Sequence, residues 1–250
     1  HAYKSEKTYQ RITASRNKKE CPLQLKGCLE GQLCHLTNLQ GEEKKYRVII
    51  TYSEDRAKEL METYRFFDSS VYYYPAKDIL FASADVKGNA IALKRLEILK
   101  QMLEGKPATI VTTIDGGLDS LTRLELLKKN VINISIEQEL NLDFIAKKLV
   151  DLGYDKVSLV EEVGQFSVRG GIFDIYPIGE ECPYRIEMWG DEIDTIRSFD
   201  VESQRSIEQI DELSIYPAQE IILDDHLISQ GIKNIDKEYK KVYEKPRKEF

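Results

Sequence analysis

Arg169 stands between two phenylalanines, Phe166 and Phe173, in a stretch that also holds the pair Gly170-Gly171. A guanidinium group pairs with carboxylates through its planar fork of donors, and neighbouring aromatic rings add apolar contact area. This combination is the chemistry of protein recognition. Arg169 could equally form an internal salt bridge that fixes the glycine-rich turn. Phe173 alternates with Ile172 on a predicted strand, so one of the two faces outward, although the core is the default for either.

A second candidate for chemistry is a group of three acids, Asp191, Glu192 and Asp194. Acid–base catalysis by paired carboxylates requires two of them to converge on a pocket, with the pKa of one raised by burial. Three acids within one turn are instead expected to be solvated. No histidine accompanies them, because His35 and His226 are isolated in sequence. The sequence therefore predicts no catalytic residues.

Phosphate binding by a nucleotide loop requires Gly-x-x-x-x-Gly-Lys-Ser/Thr, whose backbone amides and lysine hold the phosphates. The chain contains no such sequence. Its Gly105-Lys106 pair is followed by Pro107 at a predicted helix end, which is the wrong context. The residues therefore predict neither a standard phosphate loop nor a bound cofactor.

Metal binding is the remaining possibility, and it would rest on Cys28, Cys34 and His35. Structural zinc sites present two close pairs of ligands, and none of the four cysteines belongs to a Cys-x-x-Cys pair. We expect these cysteines to be small buried thiols and predict no metal site. Free thiols are typical of a reducing compartment, so a cytoplasmic location is expected.

Charge and hydropathy narrow the class of protein further. The chain has 250 residues, a net charge of −7 and 42% hydrophobic residues, which is enough for one large or two modest domains. The acidic balance argues against sequence-independent nucleic-acid binding, because phosphate attraction requires a positive face. The chain has no apolar run of about 18 residues that would span a membrane.

The first half of the chain alternates strand and helix signals, which is typical of a parallel sheet covered on both faces. Ser53 is a predicted N-cap, with two acids following it in the first helical turn. Leucines at helical spacing follow Ile91, and Gly105 and Pro107 end that helix. The predicted elements are strands at 47–52, 71–74 and 109–113, and helices from Ser53 to about Phe66 and from Ile91 to about 104.

After about residue 122 the pattern changes to one helix, at 140–152, followed by short strands that favour an antiparallel sheet. The strands are expected at 156–159, 166–168, 172–176, 184–188 and 195–199. The predicted organisation is a polar lead-in at 1–20, a first domain at 21–122, a smaller α+β domain at 123–217, and a return to the first domain at 218–250.

Residues 164–177, with 184–194 and 197–200 after them, carry a family resemblance. The run Phe-Ser-Val-Arg-Gly-Gly-Ile-Phe-Asp-Ile-Tyr-Pro resembles the UvrB-homology module of bacterial nucleotide excision repair. It is most similar to the N-terminal region of the transcription-repair coupling factor (Mfd) family, and the similarity covers about residues 22–222. The resemblance implies an α/β fold: a P-loop-like domain with a parallel sheet and a degenerate nucleotide site, interrupted by a smaller α+β domain with antiparallel strands.

The resemblance also locates the degenerate nucleotide site. By ungapped reading, the loop lies at 27–34, from Gly27 through Gly31, and the Gly-Lys-Thr positions fall on Gln32, Leu33 and Cys34. Leucine cannot neutralise a phosphate, and a thiol is a poor Mg²⁺ ligand. UvrB itself also has a long aromatic hairpin for probing damaged DNA, and the chain leaves no room for it between 71–75 and the helix at Ile91.

The function implied by the resemblance is recruitment of UvrA by a module that is not an enzyme. The partner-facing basic positions fall on Lys156, Ser167 and Arg169, with Phe166 and Phe173 supplying apolar area. In the full-length family protein, RNA polymerase, DNA and ATP hydrolysis belong to C-terminal domains outside this chain, and no membrane is involved. The alternatives are an ATP-binding UvrB-like helicase fragment that acts on damaged DNA, and a nucleic-acid-binding module.

Overall fold

A computed structural model of the chain describes residues 7–18, 22, 24–41, 46–77, 86–119, 122–222 and 225–243. Its helices are α1 (Lys7–Asn17), α2 (Glu30–Gly41), α3 (Glu54–Arg65), α4 (Val86–Leu103), α5 (Ile114–Leu118), α6 (Leu124–Lys129), α7 (Leu142–Asp151) and α8 (Asp225–Tyr243). Its strands are β1 (Tyr46–Thr51), β2 (Val71–Tyr74), β3 (Ala108–Thr113), β4 (Ile132–Ser135), β5 (Asp155–Lys156), β6 (Gln165–Arg169), β7 (Ile172–Ile175), β8 (Tyr184–Trp189), β9 (Glu192–Phe199), β10 (Ser206–Ile210) and β11 (Glu212–Ile215).

The first half of the chain forms a parallel sheet with the strand order β1-β3-β2. β3 is central, and all six of its residues are buried, as its run of β-branched residues requires. The predicted strands at 47–52, 71–74 and 109–113 are confirmed within one residue at most boundaries. The prediction of a mixed α/β chain with one parallel and one antiparallel part is therefore confirmed at this level.

Two helices cover opposite faces of this sheet. α3 begins after Ser53, whose hydroxyl accepts from the Arg56 amide at 3.3 Å, as the sequence predicted. Tyr64 of α3 packs with one face of the sheet, in a cluster that includes Val111. α4 packs on the other face, where Ile98 contacts a cluster that includes Tyr74 and Ile110. The layers are those expected for strands that alternate with helices.

The second sheet has six strands in the order β10-β9-β8-β7-β6-β5. Neighbouring strands in this sheet are antiparallel, except that β5 and β6 are parallel. Tight turns join β6 to β7 and β8 to β9, and Gly170 (φ +60°) and Gly190 (φ +64°) supply the left-handed backbone that they require. β4 and β11 form a separate antiparallel pair.

The largest core lies beneath the second sheet. It combines Phe166, Phe173 and Ile186 from the sheet with Leu149 from α7. α4 contributes Leu96, together with Leu99, to this same core, so one helix serves both sheets. The chain segments before and after the second sheet are hydrogen-bonded to each other. The Thr122 amide donates to the Glu220 carbonyl at 3.1 Å, and the Ile222 amide donates to the Thr122 hydroxyl at 2.9 Å.

Several elements differ from the sequence-based expectation. Residues 7–17 form the helix α1 within the polar lead-in, where no helix was predicted. α4 starts five residues before Ile91, and β5 ends three residues before 159. The strands β4, β10 and β11 were not predicted. β4 and β11 have four residues each, and β10 has no buried face, so it shows no regular alternation of apolar and polar residues. Among the described residues, no helix combines the length and apolar character needed to cross a bilayer.

Candidate functional site

The outer face of the second sheet is polar because side chains alternate along each strand. Phe166 and Phe173 point into the core, and their neighbours Ser167 and Asp174 point to the opposite face. Register places Ser167 opposite Asp174 and Asp174 opposite Arg185 on three consecutive strands. A row of polar side chains therefore crosses the sheet at its centre.

Asp174 is the centre of this row, and its side chain is only 1% exposed. Its oxygens accept from Arg185 Nε at 2.8 Å, from Arg185 Nη2 at 2.9 Å and from Arg169 Nη2 at 2.8 Å. The bond to Asp174 is the main cause that raises the pKa of Arg185. The Arg185 guanidinium also lies 4.6 Å from the ring centroid of Phe199. A buried carboxylate held by two guanidinium groups makes this network rigid.

Arg169 ends β6 immediately before the Gly170 turn, and its side chain is 49% exposed. One of its several N–H donors bonds to Asp174, and the described residues offer it no other hydrogen-bonding partner. Arg169 therefore forms the internal salt bridge that was one interpretation of this residue. Its half-exposed guanidinium also leaves donors for a partner, which was the other interpretation. An arginine fixed in this way loses little rotamer freedom when a partner carboxylate binds.

The two predicted phenylalanines lie under this face. Phe166 and Phe173 are fully buried, with ring centroids 6.5 Å apart in an edge-to-face arrangement. They support the sheet from within the core and offer no apolar area to a partner. The exposed member of the alternating pair is Ile172, at 38%.

The structure adds an aromatic residue that the sequence reasoning did not select. Trp189, the only tryptophan of the chain, is 82% exposed at the end of β8. Alternation along β8 places it on the same face as Arg185. The amide of its neighbour Met188 donates to the Gly171 carbonyl at 2.8 Å, so Trp189 starts beside the turn that follows Arg169. The enrichment of tryptophan in interface centres is the signal that could have pointed to it in the sequence.

The other two predicted docking residues are placed differently. Ser167 is 1% exposed, and its hydroxyl donates to the Ser158 carbonyl at 3.2 Å. Lys156 is exposed on the edge strand β5, in register with Phe166. Because partners in a parallel ladder share a face, Lys156 belongs by register to the opposite side from Arg169. The structure therefore does not bring Lys156 and Arg169 together, and Ser167 is covered.

The predicted nucleotide loop lies at the start of α2. Gly27 has φ +76°, and Gly31, Gln32, Leu33 and Cys34 already belong to the helix, which begins at Glu30. The Gln32 side chain accepts from the Leu29 amide at 3.2 Å. Cys34 is buried, and this burial raises the pKa of its thiol. The segment is thus a helix start with one internal cap.

The first residue of α2 is an acid whose carboxylate is held by α3. Glu30 accepts from the Thr63 hydroxyl at 2.8 Å and forms an ion pair with Arg56. The bond from Thr63 is the main cause that lowers the pKa of Glu30. A carboxylate in the first helical turn interacts favourably with the helix dipole and adds negative charge near the end of the helix that would attract a phosphate.

The residues considered for metal binding do not converge. His35 stacks on Phe67 with ring centroids 5.1 Å apart, whereas Cys34 faces the core beneath α3. Cys28, Cys34 and Cys182 are free thiols. In the part of the chain that the structure describes, no three potential ligands lie close enough to hold an ion.

Comparison with known proteins finds a family model and curated relatives that match this chain. The model of the UvrB interaction domain matches residues 132–221, which include the whole second sheet. Curated relatives named transcription-repair-coupling factor are 36% identical over 181 residues in Staphylococcus epidermidis (strain ATCC 35984), 33% over 210 residues in Staphylococcus aureus (strain USA300) and 31% over 200 residues in Bacillus subtilis (strain 168). These alignments cover 72%, 83% and 79% of this chain. The chain spans only 15–18% of the length of these relatives.

Proposed function

The chain belongs to the transcription-repair-coupling factor family, and we propose that it is a docking module which recruits UvrA in transcription-coupled nucleotide excision repair. In this proposal the module catalyses nothing itself. RNA polymerase and DNA are partners of other parts of the full-length protein, as is the hydrolysis of ATP. The match of the UvrB interaction domain to residues 132–221 directs the proposal to the second sheet.

The observation that carries the proposal is the half-exposed Arg169 held by the buried Asp174. Ile172 is its register partner on β7, and Trp189 of β8 lies by strand alternation on the same face. A cation and two exposed apolar side chains therefore share this face and form the proposed docking patch. Arginine and tryptophan are the residue types that most often dominate binding energy in interfaces. The complementary surface on UvrA would present carboxylates around an apolar pocket.

The geometry of the first half of the chain supports a related proposal. The parallel order β1-β3-β2 and the helix start at residues 27–34 fit a P-loop-like domain whose nucleotide site has decayed. Glu30 adds negative charge near the helix start, where an active loop would bind phosphate. We propose the domain limits 21–122, 123–217 and 218–250, with the second unit inserted in the first.

The experiment that tests this function is titration calorimetry of the chain with UvrA. Arg169→Glu and Trp189→Ala are each expected to weaken binding by at least about tenfold, because each removes an anchor at the centre of the patch. Lys147→Glu on α7 is the matched control for charge reversal, since Lys147 is exposed on a helix that packs beneath the sheet. Lys156→Glu shows whether the site also reaches β5.

Three results would contradict the proposal. The docking function is wrong if the unaltered chain does not bind UvrA. The site is wrong if Arg169→Glu binds as tightly as Lys147→Glu. Binding of ATP with Mg²⁺ in the same instrument would favour the alternative of a UvrB-like nucleotide-binding protein.

A further inference from the structure

β2 is an edge strand of the parallel sheet, and only β3 pairs with it among the described residues. The Ser70 carbonyl accepts from the Thr109 amide at 2.9 Å, and this bond shows which residues of β2 face β3 with their backbone groups. Because alternate residues of a parallel strand bond to the same neighbour, the backbone amide and carbonyl groups of Val71 and Tyr73 point away from β3. No described residue bonds to these four groups, and because Val71 is 3% exposed and Tyr73 9% exposed, they lie at the base of a cleft.

This edge opens into a groove of about 620 Å³. α3 forms one wall through Lys58 and Met61, and α4 forms the other through Lys94 and Ile98. The loop at 179–181 from the second sheet also lines it. The volume lies within the usual range for ligand sites.

Tyr73 of β2 lines the groove and is only 9% exposed. Its hydroxyl has no close hydrogen-bonding partner among the described residues, and the Glu54 carboxylate is the acceptor that affects it most. Burial, followed by the charge of Glu54 and a hydrogen bond to it, raises the pKa of Tyr73 to about 12, so the hydroxyl remains neutral. The backbone of Tyr73 is therefore the part of this residue that a ligand in the groove would use.

Charged side chains of the groove are also available to a ligand. Lys94, Glu97 and Glu181 line it, and none of them has an ion-pair partner within the described chain. The other acid of the loop at 179–181, Glu180, bonds to Lys100 at 2.6 Å. The unpaired set therefore carries two negative charges and one positive charge, which favours a ligand with a basic end.

We propose that this groove receives an extended polypeptide segment of a partner protein, which adds to the free edge of β2 as a further strand and places a basic side chain beside Glu97 and Glu181. The backbone groups of Val71 and Tyr73 supply the affinity, as in other cases of strand addition. The walls select side chains on alternate residues of the added strand. This surface lies on the first sheet and does not depend on the docking of UvrA.

The test uses amide hydrogen exchange, measured by NMR on the whole chain. The probe is a capped peptide of about eight residues, in which valine and threonine alternate between terminal lysines. Without the peptide, the Val71 and Tyr73 amides are expected to exchange much faster than those of Tyr72 and Tyr74, which bond to β3. Saturating peptide is expected to slow the exchange of Val71 and Tyr73 by at least about tenfold.

Matched variants distinguish the contribution of the Val71 amide to peptide binding from that of the Val71 side chain. Val71→Pro removes the outward amide, whereas Val71→Ala removes the same side chain and keeps that amide. Peptide affinity is expected to fall by at least about tenfold in Val71→Pro relative to Val71→Ala. A second test does not depend on the stability of the Val71 variants. The double variant Glu97→Lys with Glu181→Lys should bind the lysine-ended peptide more weakly and the same peptide with glutamate ends more tightly.

Four outcomes overturn the proposal. The first is unchanged exchange of Val71 and Tyr73 at peptide concentrations up to about 1 mM. The second is equal binding of a peptide whose internal amides are all N-methylated, since it cannot form a strand ladder. The third is protection confined to β1, the opposite edge of the sheet. The fourth is protection of Val71 and Tyr73 that rises with protein concentration without peptide, which would indicate pairing of two copies.

Discussion

Arg95 and Glu220 lie 125 residues apart in sequence and form a buried, bidentate ion pair. Nε of Arg95 is 2.5 Å from Oε1 of Glu220, and Nη2 is 3.0 Å from Oε2. Arg95 also donates to the Pro75 carbonyl at 2.6 Å and to Asp119 at 2.8 Å. Asp119 precedes the second sheet in the chain and Glu220 follows it, so a single guanidinium group binds the chain segments on both sides of that sheet.

Arg95→Met is expected to lower the free energy of unfolding by about 3–5 kcal/mol, because it leaves the buried carboxylate of Glu220 with only Lys77 as a partner. Urea unfolding followed by circular dichroism measures this loss. Lys240→Met removes the exposed pair with Asp236 and is the matched control, expected to change stability by less than about 1 kcal/mol. Similar effects of the two substitutions would contradict a structural role for Arg95.

Ile172→Ala and Phe173→Ala change neighbouring residues, and we expect the first to affect mainly binding and the second mainly stability. Phe173→Ala should cost about 3–5 kcal/mol of stability, because it opens a cavity beside Phe166 in a closed core. Ile172→Ala should cost less than about 1 kcal/mol and weaken the binding of UvrA, since its side chain belongs to the exposed patch. Thermal unfolding and calorimetry of both variants check this. Equal losses of stability would place Ile172 in the core and contradict the assignment of faces.

Tyr73→Phe and Tyr154→Phe remove hydroxyls with different surroundings. The Tyr154 hydroxyl donates to the Tyr216 carbonyl at 2.7 Å, so its removal leaves a carbonyl without a donor and should cost about 1–2 kcal/mol. The Tyr73 hydroxyl donates to no backbone carbonyl among the described residues and has the Glu54 carboxylate as its main nearby acceptor, so its removal should change stability by less than about 1 kcal/mol. Urea midpoints of the two variants provide the comparison. A large loss in Tyr73→Phe would reveal a partner for that hydroxyl.

Stability is expected to fall when the pH rises above about 10. Burial raises the pKa of Tyr73 to about 12 from an ordinary value of 10.0, and it also raises the pKa values of Tyr74, Tyr154 and Tyr184. Above pH 10 the unfolded chain therefore binds fewer protons than the folded chain, and the free energy of unfolding decreases with pH. Below pH 10 these groups contribute no slope. Urea unfolding across this range measures the slope, and Tyr73→Phe should reduce it.

The parts of the fold that the sequence predicted are those with local causes. The strand at 71–74 ends at Pro75, and the helix after Ser53 has a capping hydroxyl and two acids in its first turn. These signals act within a few residues, so they can be read without knowledge of the tertiary structure. The parallel first half and the antiparallel second half followed from the lengths and spacing of such segments.

The details of the docking site could not be obtained in the same way. Strand alternation showed that Ile172 and Phe173 face opposite sides, but only the packing of the core decides that Phe173 is the buried one. The pairing of Asp174 with Arg185 depends on the register between β7 and β8. The position of Trp189 beside the β6–β7 turn depends on the same alignment of β8 with β7. Pairs such as Arg95 and Glu220 have no sequence signal, because tertiary folding alone brings them together.

The bond between the Thr122 amide and the Glu220 carbonyl has a consequence for how this architecture can be transferred. Because the chain segments that enter and leave the second sheet meet there, the sheet joins the rest of the molecule at one place, and close chain ends are the arrangement in which insertion into another protein is tolerated. A graft of residues 123–219 would need two adjacent chain ends and a replacement for Leu96 and Leu99 of α4, which pack in its core. A host protein with an amphipathic helix beside such a pair of chain ends would meet both requirements.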